Sequence, residues 1–530
     1  MKRQHSRTRA TLEAKRQHCG GAVRTVSKVI IGKDILELLS SSMYVNPLTI
    51  YREYIQNAAD AIDDAVEYGY LAGIEDGRID ISLDHIGRRA VVRDNGTGLS
   101  GDEFAERMTA FGASAKRGTD ARGFRGVGRL AGLGYCQELV FRSRSPQDRS
   151  VSEIRWDCRL LKNFLLDPKF DGALGDIVKR VATVRSFTDQ DLPERFFEVE
   201  IIKPRRIGHD VLLNEQIIED YIAQVAPVGF HPDFRFGSQI RDCLSDMMSR
   251  LDEYSIYING SDFPVYRPFR DEVAYSDTKI SVCDEIEPLQ IGSLDGRVAA
   301  AGWIMHHDYQ GAIPRSQGVR GLRARVGNIQ VGDSRIFSDA FPEQRFNSWT
   351  IGEVHVLDRR ISPNGRRDNF EPNTHLFNLT NHLTPFTHQI ARKCRSNSQI
   401  RTRLRAFDLA EERVHEILDF IEQGAVSKKL TTEMRKEVGG RLADMLRVAE
   451  FDLLGTKKRQ KLGRRIKKIE KRAGALSGGA NTDGLLSGIP QRKRRVYQEV
   501  FDLIYQCSGN RANAKVLIDK IMARISHVDD

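Results

Sequence analysis

The stretch NPLTIYREYIQNAADAIDDAVEY (residues 46–68) opens on asparagine followed by proline, a pair that caps a helix and presets its first turn. At about 100° per residue its side chains sort onto two faces. Tyr51, Ile55, Ala58, Ile62, Ala65 and Val66 gather on one, and Glu53, Asn57, Asp60 and Asp64 fall within about 60° of one another on the other. Taken alone, this is an amphipathic surface helix. Two features point elsewhere. A solvated face ordinarily mixes cations with its acids, yet no Lys or Arg follows Arg52 in this helix. Ala58, Ala59 and Ala61 flank the acidic stripe with small side chains, which leaves room for a ligand. Glu53 suits the general base that activates a water. Asn57, one turn on, offers an amide oxygen to Mg²⁺, a hard cation that also takes phosphate oxygens and water. The pair points to nucleotide hydrolysis.

Two glycine-bearing segments follow. IDISLDHIGRRAVVRDNGTGLS reads as strands over Ile79–Leu83 and Ala90–Arg93 joined by a turn at Gly87. The second strand runs into Asp94, Gly96 and Gly98, a DxGxG pattern that alone is equally a strand-ending turn. In a nucleotide site, Asp94 is an acceptor for an exocyclic amine such as that of adenine. Gly96 and Gly98 let the backbone turn tightly beneath base and ribose. GFRGVGRLAGLG then places Gly123, Gly126 and Gly128 ahead of an apolar helical run, where backbone N–H groups attract phosphate. Lys116, Arg117, Arg122, Arg125 and Arg129 surround it, and the Gly/Ala/Ser-rich residues 111–122 read as a mobile lid.

Composition sets the outer bounds. The 530 residues, 40% hydrophobic and 29% charged, suffice for two or three domains with proper cores. No apolar run reaches the length that spans a bilayer, about 18 residues, and the basic N-terminus lacks the apolar core of a secretory signal. Seven scattered cysteines with no CxxC pair argue against a disulfide framework or zinc site and favour a reducing cytoplasm. The net charge of +10 is unevenly placed. Residues 1–30 carry eight cations against Glu13, residues 457–472 carry ten against Glu470, and the rest of the chain is net acidic. A charge run is usually a solvated helix face; the other reading is nucleic acid or an acidic partner.

The expected organisation is α+β. It comprises a basic flexible arm (1–27), an α/β sandwich (28–235), a second α+β unit (236–395) and a helical C-terminal region (396–530) with a linker near 474–490. IYING, RVAAAGWIM, LRARVGNIQVG and TIGEVHVL read as strands, and helical spacing begins at about Asn397.

ExxxNAxDA, DxGxG and GxxGxG in this order resemble the signature of the GHKL, or Bergerat-fold, ATPases. The segment IGKDILELLSSSMYVNPLTIYREYIQNAADAIDDAVEY resembles the ninety-kilodalton heat-shock chaperones (HtpG-like) almost throughout. The resemblance implies a Bergerat-type sandwich binding ATP and Mg²⁺. Glu53 would be the base, Asn57 the metal ligand, Asp60 a pocket support and Asp94 the adenine contact. Gly96 and Gly98 would line the base, Gly123, Gly126 and Gly128 would hold phosphates, and Lys116 is a looser match in the lid. The family's early lid asparagine is replaced near Arg107. NSWTIGEVHVLDRRISPNGRRDNFE is similar to the family's middle, transducer-like domain, which implies Arg367, with its neighbour Arg366 as the alternative match, as the arginine that reaches the γ-phosphate on closure. A surface arginine in a turn is the other reading of Arg367. Beyond about residue 395 the resemblance ends. It implies an ATP-hydrolysing clamp, a homodimer in the cytoplasm acting on an unidentified protein client. The alternative is an ATPase of the same superfamily acting with nucleic acid through 457–472, like MutL or MORC proteins, in DNA repair or antiviral defence.

Overall fold

The computed structural model describes residues 46–110, 128–167, 170, 174–248, 251–477, 486, 489–509 and 511–526. The expected arm (1–27), the lid (111–122), Lys116, Gly123 and Gly126, and most of the 474–490 linker lie outside these residues. The protein is α+β. It divides into two compact units: the first holds the described residues up to Phe269 with Ala324–Asp333 and His355–Pro372, the second Arg270–Arg323, Ser334–Val354 and the chain from Asn373.

The first unit begins with α1 (Thr49–Glu67). Its N-cap is Leu48, which makes no side-chain capping bond, rather than the expected Asn46; Asn46 Oδ1 instead accepts from the Leu48 N–H at 3.0 Å in the turn ahead of the helix. There follow β1 (Arg78–Asp84), β2 (Arg89–Asp94), α2 (Gly101–Thr109), β3 (Glu138–Arg144), β4 (Val151–Asp157), α3 (Cys158–Leu166) and α4 (Leu174–Val181). The series closes with β5 (Ala182–Phe187), β6 (Phe196–Ile202), α5 (Glu215–Val225), α6 (Gly237–Met247) and β7 (Ser255–Ile258). The seven strands form one sheet in the order β5-β4-β3-β6-β2-β1-β7. The pairs are antiparallel except β1 with β7, so IYING supplies the parallel edge strand.

Period-two alternation gives this sheet two different faces. Ile79 and Ile81 of β1, Ala90 and Val92 of β2, and Val199 and Ile201 of β6 turn inward and share one core with Ile55, Ala58 and Ile62 of α1. The opposite face carries a cross-strand charge ladder. In register, Arg93 faces Glu198, Glu198 faces Arg142, Arg142 faces Glu153 and Glu153 faces Arg185. Arg142 reaches Glu153 and Glu198 at 2.7 Å each and Glu200 at 2.8 Å, while Arg185 reaches Glu153 at 2.6 Å. Directly opposed unlike charges stabilise such pairs.

The second unit holds β8 (Glu272–Ser276), β9 (Lys279–Val282), β10 (Glu285–Gly292) and β11 (Val298–His306), with β8/β9 and β10/β11 antiparallel. The strands expected from LRARVGNIQVG and TIGEVHVL are β12 (Gly321–Val326), β13 (Ile329–Val331) and β14 (Ile351–Val356); the β12–β13 hairpin residues 324–331 group with the first unit. Helix α7 (Thr374–Gln423) then runs 50 residues, starting well before Asn397. Its early turns, FNLTNHLTPFTHQ, are rich in Asn and Thr and contain Pro385, residues that hide a helix from periodicity. Helices α8 (Lys428–Ala449), α9 (Thr456–Ser477), α10 (Gln491–Cys507) and α11 (Arg511–Ser526) complete the unit around Phe407, Val414, Met434, Ile466 and Ile518. Among the described residues no helix is long and apolar enough to cross a membrane, and the six described cysteines are all free thiols.

Candidate nucleotide site

The site is organised along α1. Its apolar side is buried as its spacing predicts, with Tyr51, Ile55, Ala58, Ile62 and Ala65 each 2% exposed or less. The acidic stripe is not a solvent face: Glu53 and Asp60 are buried and Asn57 half-buried, and only at Asp64 does it reach solvent. Burying carboxylates is costly unless a partner compensates. For Glu53 that partner is Arg52, whose guanidinium lies 3.1 Å from Glu53 Oε1 and also donates to the Arg366 carbonyl at 3.2 Å. Arg52 is thus a site residue that the amphipathic pattern does not flag, since it adjoins Glu53 in sequence rather than sharing its stripe.

Gly128 meets α1 at its N-terminal half. A β-carbon there would overlap Glu53 Oε2, so the backbone of the third motif lies directly against the carboxylate of the first. The run from Gly128 to Gly134 is 3₁₀ rather than an α-helix. Gly132 and Gly134 weaken helix formation, and the Gly132 N–H donates to the Tyr54 hydroxyl of α1 at 3.0 Å. Phosphate contacts at Gly128 would therefore come from local N–H groups, without the field of a long helix. Arg129 donates to the Ala110 carbonyl, and Arg107 forms an exposed pair with Glu103 at 3.0 Å.

The second motif meets α1 near its other end. Asp94 shares the inward face of β2 with Ala90 and Val92, and its Oδ1 accepts from the Gly96 N–H at 2.9 Å. A β-carbon on Gly96 would lie 2.6 Å from that of Ala61, while Thr97 N–H donates to the Ala61 carbonyl at 3.1 Å. Gly98 holds φ +65° and packs against the Arg144 carbonyl, a conformation and a proximity that glycine alone tolerates. Burial pushes the Asp94 carboxyl up from 3.8 to about 7, against the Gly96 N–H and the Arg195 guanidinium, which pull it down. A buried acceptor with spare lone pairs at a strand end suits an amine donor. From Glu53 to Ala61, eight residues of helix span on the order of 12 Å, the scale of a nucleoside triphosphate.

Gln56, 1% exposed, has a buried Oε1 without a hydrogen-bond partner on the shoulder of the same stripe. Its helical angle, about 60° from Glu53, is the signal that could have found it. Asn57 would offer one neutral oxygen to a metal. Among the described residues no group of three or more His, Cys, Asp or Glu could hold an ion. This donor set fits Mg²⁺ carried in with a nucleotide, whose phosphates and water complete its shell. Arg367 belongs to the first unit. It is buried, adopts φ 55°, and is pinned by Gly332 N–H to its carbonyl at 2.8 Å and its own N–H to Asn364 at 3.1 Å. Left-handed non-glycine residues are uncommon and cluster at functional sites.

Residues 48–164 match the family described as histidine kinase-, DNA gyrase B- and HSP90-like ATPases. Among curated proteins, the chain is 30% identical over 141 residues to "Chaperone protein HtpG" of Fusobacterium nucleatum subsp. nucleatum, 23% of each chain. It is 38% identical over 94 residues to that of Alkalilimnicola ehrlichii, 17% of this chain and 14% of the relative. Against that of Clostridium acetobutylicum it is 24% identical over 181 residues, 31% of this chain and 28% of the relative. The chain thus spans under a third of the length of these relatives.

Proposed function

We propose, from the match of residues 48–164 to the histidine kinase-, DNA gyrase B- and HSP90-like ATPases, that this chain binds and hydrolyses ATP and couples the cycle to a conformational clamp. The observation that carries the proposal is the contact of two glycine motifs with one helix, Gly128 at Glu53 and Gly96 at Ala61. Asp94 accepts the adenine amine, and Gly96 and Gly98 let the backbone pass close to base and ribose. Asp60 supports the base end of the pocket. Gly128, with Gly123, Gly126 and Lys116, holds the phosphates. Glu53, oriented by Arg52, takes the proton of the attacking water. Mg²⁺, held by Asn57, would neutralise phosphate charge. Arg367 is the cation that meets the γ-phosphate; its support is the Arg366 carbonyl bonded to Arg52 and the constrained backbone beside it.

The name carried by the matched relatives extends the proposal to a chaperone-like cycle with an unidentified protein client, in a homodimer whose middle segment, 236–395, transmits closure. The free thiols among the described cysteines suit a cytoplasmic setting. The test is Glu53→Ala in the full chain. ATP binding persists while turnover falls by about 10²–10⁴-fold; unchanged turnover would remove Glu53 from the mechanism.

A further inference from the structure

The basic run 457–472 forms most of α9; Arg459 donates to the Phe451 carbonyl at 3.0 Å, and the other nine cations split into two groups. Arg465 and Arg472 turn inward: Arg465 pairs with Asp408 at 2.7 Å and with Glu411, and Arg472 with Asp419 at 2.5 Å and Glu422 at 2.6 Å, all on α7. Leu462, Ile466 and Ile469 are buried beside them. These contacts lock the helix by one side. Lys457, Lys458, Lys461, Arg464, Lys467, Lys468 and Lys471 are exposed and form no ion pair among the described residues.

Five of them, Lys457, Lys461, Arg464, Lys468 and Lys471, fall within an arc of about 80° and span about 21 Å along the axis. Lys458 and Lys467 flank that arc on opposite sides. Glu470, the one acid of the run, lies on a different side. Uncompensated like charges on a helix repel one another at i,i+3 and i,i+4, so the array costs stability that pairing at Arg465 and Arg472 shows the same helix can avoid. A polyanion removes that repulsion.

We propose that this face of α9 docks on duplex DNA through its phosphate backbone, independently of the ATPase reading. Three observations select this occupant. A single convex helix with cations at its centre and on both flanks matches a major groove wide enough to admit a helix between two phosphate walls, whereas the major groove of duplex RNA is too narrow. The helix bears no aromatic residue, so the stacking platform of single-strand binders is missing from it. Its apolar residues Leu462, Ile466 and Ile469 are buried in the core of the helical unit rather than turned outward, unlike a helix that lies in a bilayer surface.

The test is fluorescence anisotropy of the full chain with a labelled duplex of about 20 base pairs over a salt series. Five phosphate contacts predict a slope of log K against log salt of about −4.5. Neutralising three exposed positions together, Lys461→Gln, Arg464→Gln and Lys468→Gln, should flatten that slope by about 2.7, with the circular dichroism melt and basal ATP turnover unchanged. The proposal is overturned if no duplex binding occurs at about 50 mM salt, or if the triple variant binds like the parent. It is equally overturned if single-stranded DNA, duplex RNA or phosphatidylserine vesicles bind as tightly as duplex DNA.

Discussion

Asp94 shows at the level of one residue how burial changes the character of an acid. Its folded pKa, about 7, lies above its ordinary 3.8, so its contribution to stability is fully present below about pH 4 and is lost as pH rises through 7. Asp94→Asn removes that titration. The stability of the variant relative to the parent, followed by thermal melts, should climb by up to about 3 kcal/mol between pH 5 and 8; a pH-independent difference would contradict the burial of a titrating acid. Gly128 offers a second test. An added methyl meets the movable end of Glu53 rather than backbone, so Gly128→Ala should melt with the parent while turnover falls, by as much as about 10²-fold if the carboxylate shifts by 1 Å. Both residues were legible in the sequence, because an acid at a strand end and a run of glycines at 123, 126 and 128 are conspicuous. Arg52, Gln56 and Tyr54 were not, since their roles arise from what folds against them.

At the scale of elements, α1 is the axis of the site and the sheet is its floor. Gly96 and Thr97 meet Ala61 of α1, and Gly98, at φ +65°, packs on the sheet against the Arg144 carbonyl. Gly98→Ala should therefore destabilise the fold by about 2 kcal/mol or more, unlike Gly128→Ala, and a denaturant titration separates the two. On the far side of the sheet, burial raises the Glu153 carboxyl, but its bonds to Arg185 and Arg142 prevail and hold it below the usual range. That contribution is present above the unfolded pKa near 4.5 and disappears as pH falls through the depressed value. Glu153→Gln should lower the melting midpoint at pH 7 and converge with the parent in acid. Alternation read correctly along β1 and β2, but the ladder from Arg93 to Arg185 depends on register across five strands. The 3₁₀ run after Gly128 likewise reflects Gly132 meeting Tyr54, a contact made 78 residues apart.

For the whole molecule, the α+β class follows from the period of apolar residues. The start of α7 does not, because packing rather than propensity sustains a helix through Pro385 and its polar neighbours. The grouping of His355–Pro372 with the first unit also depends on long-range contacts that no local pattern encodes, and it bears on function by placing Arg367 beside the residues of α1. Arg367→Ala should leave ATP affinity within about threefold and reduce turnover by about 10³-fold or more, read by parallel binding and phosphate-release assays.

In the proposed site both halves of α1 serve one adenine nucleotide. Isothermal titration of ATP into the full chain, its Glu53→Ala variant and its Asp94→Ala variant measures it most directly. One saturable site per chain is expected, retained in Glu53→Ala and lost in Asp94→Ala. Saturable binding that survives in Asp94→Ala, or no binding to the parent chain, would contradict it.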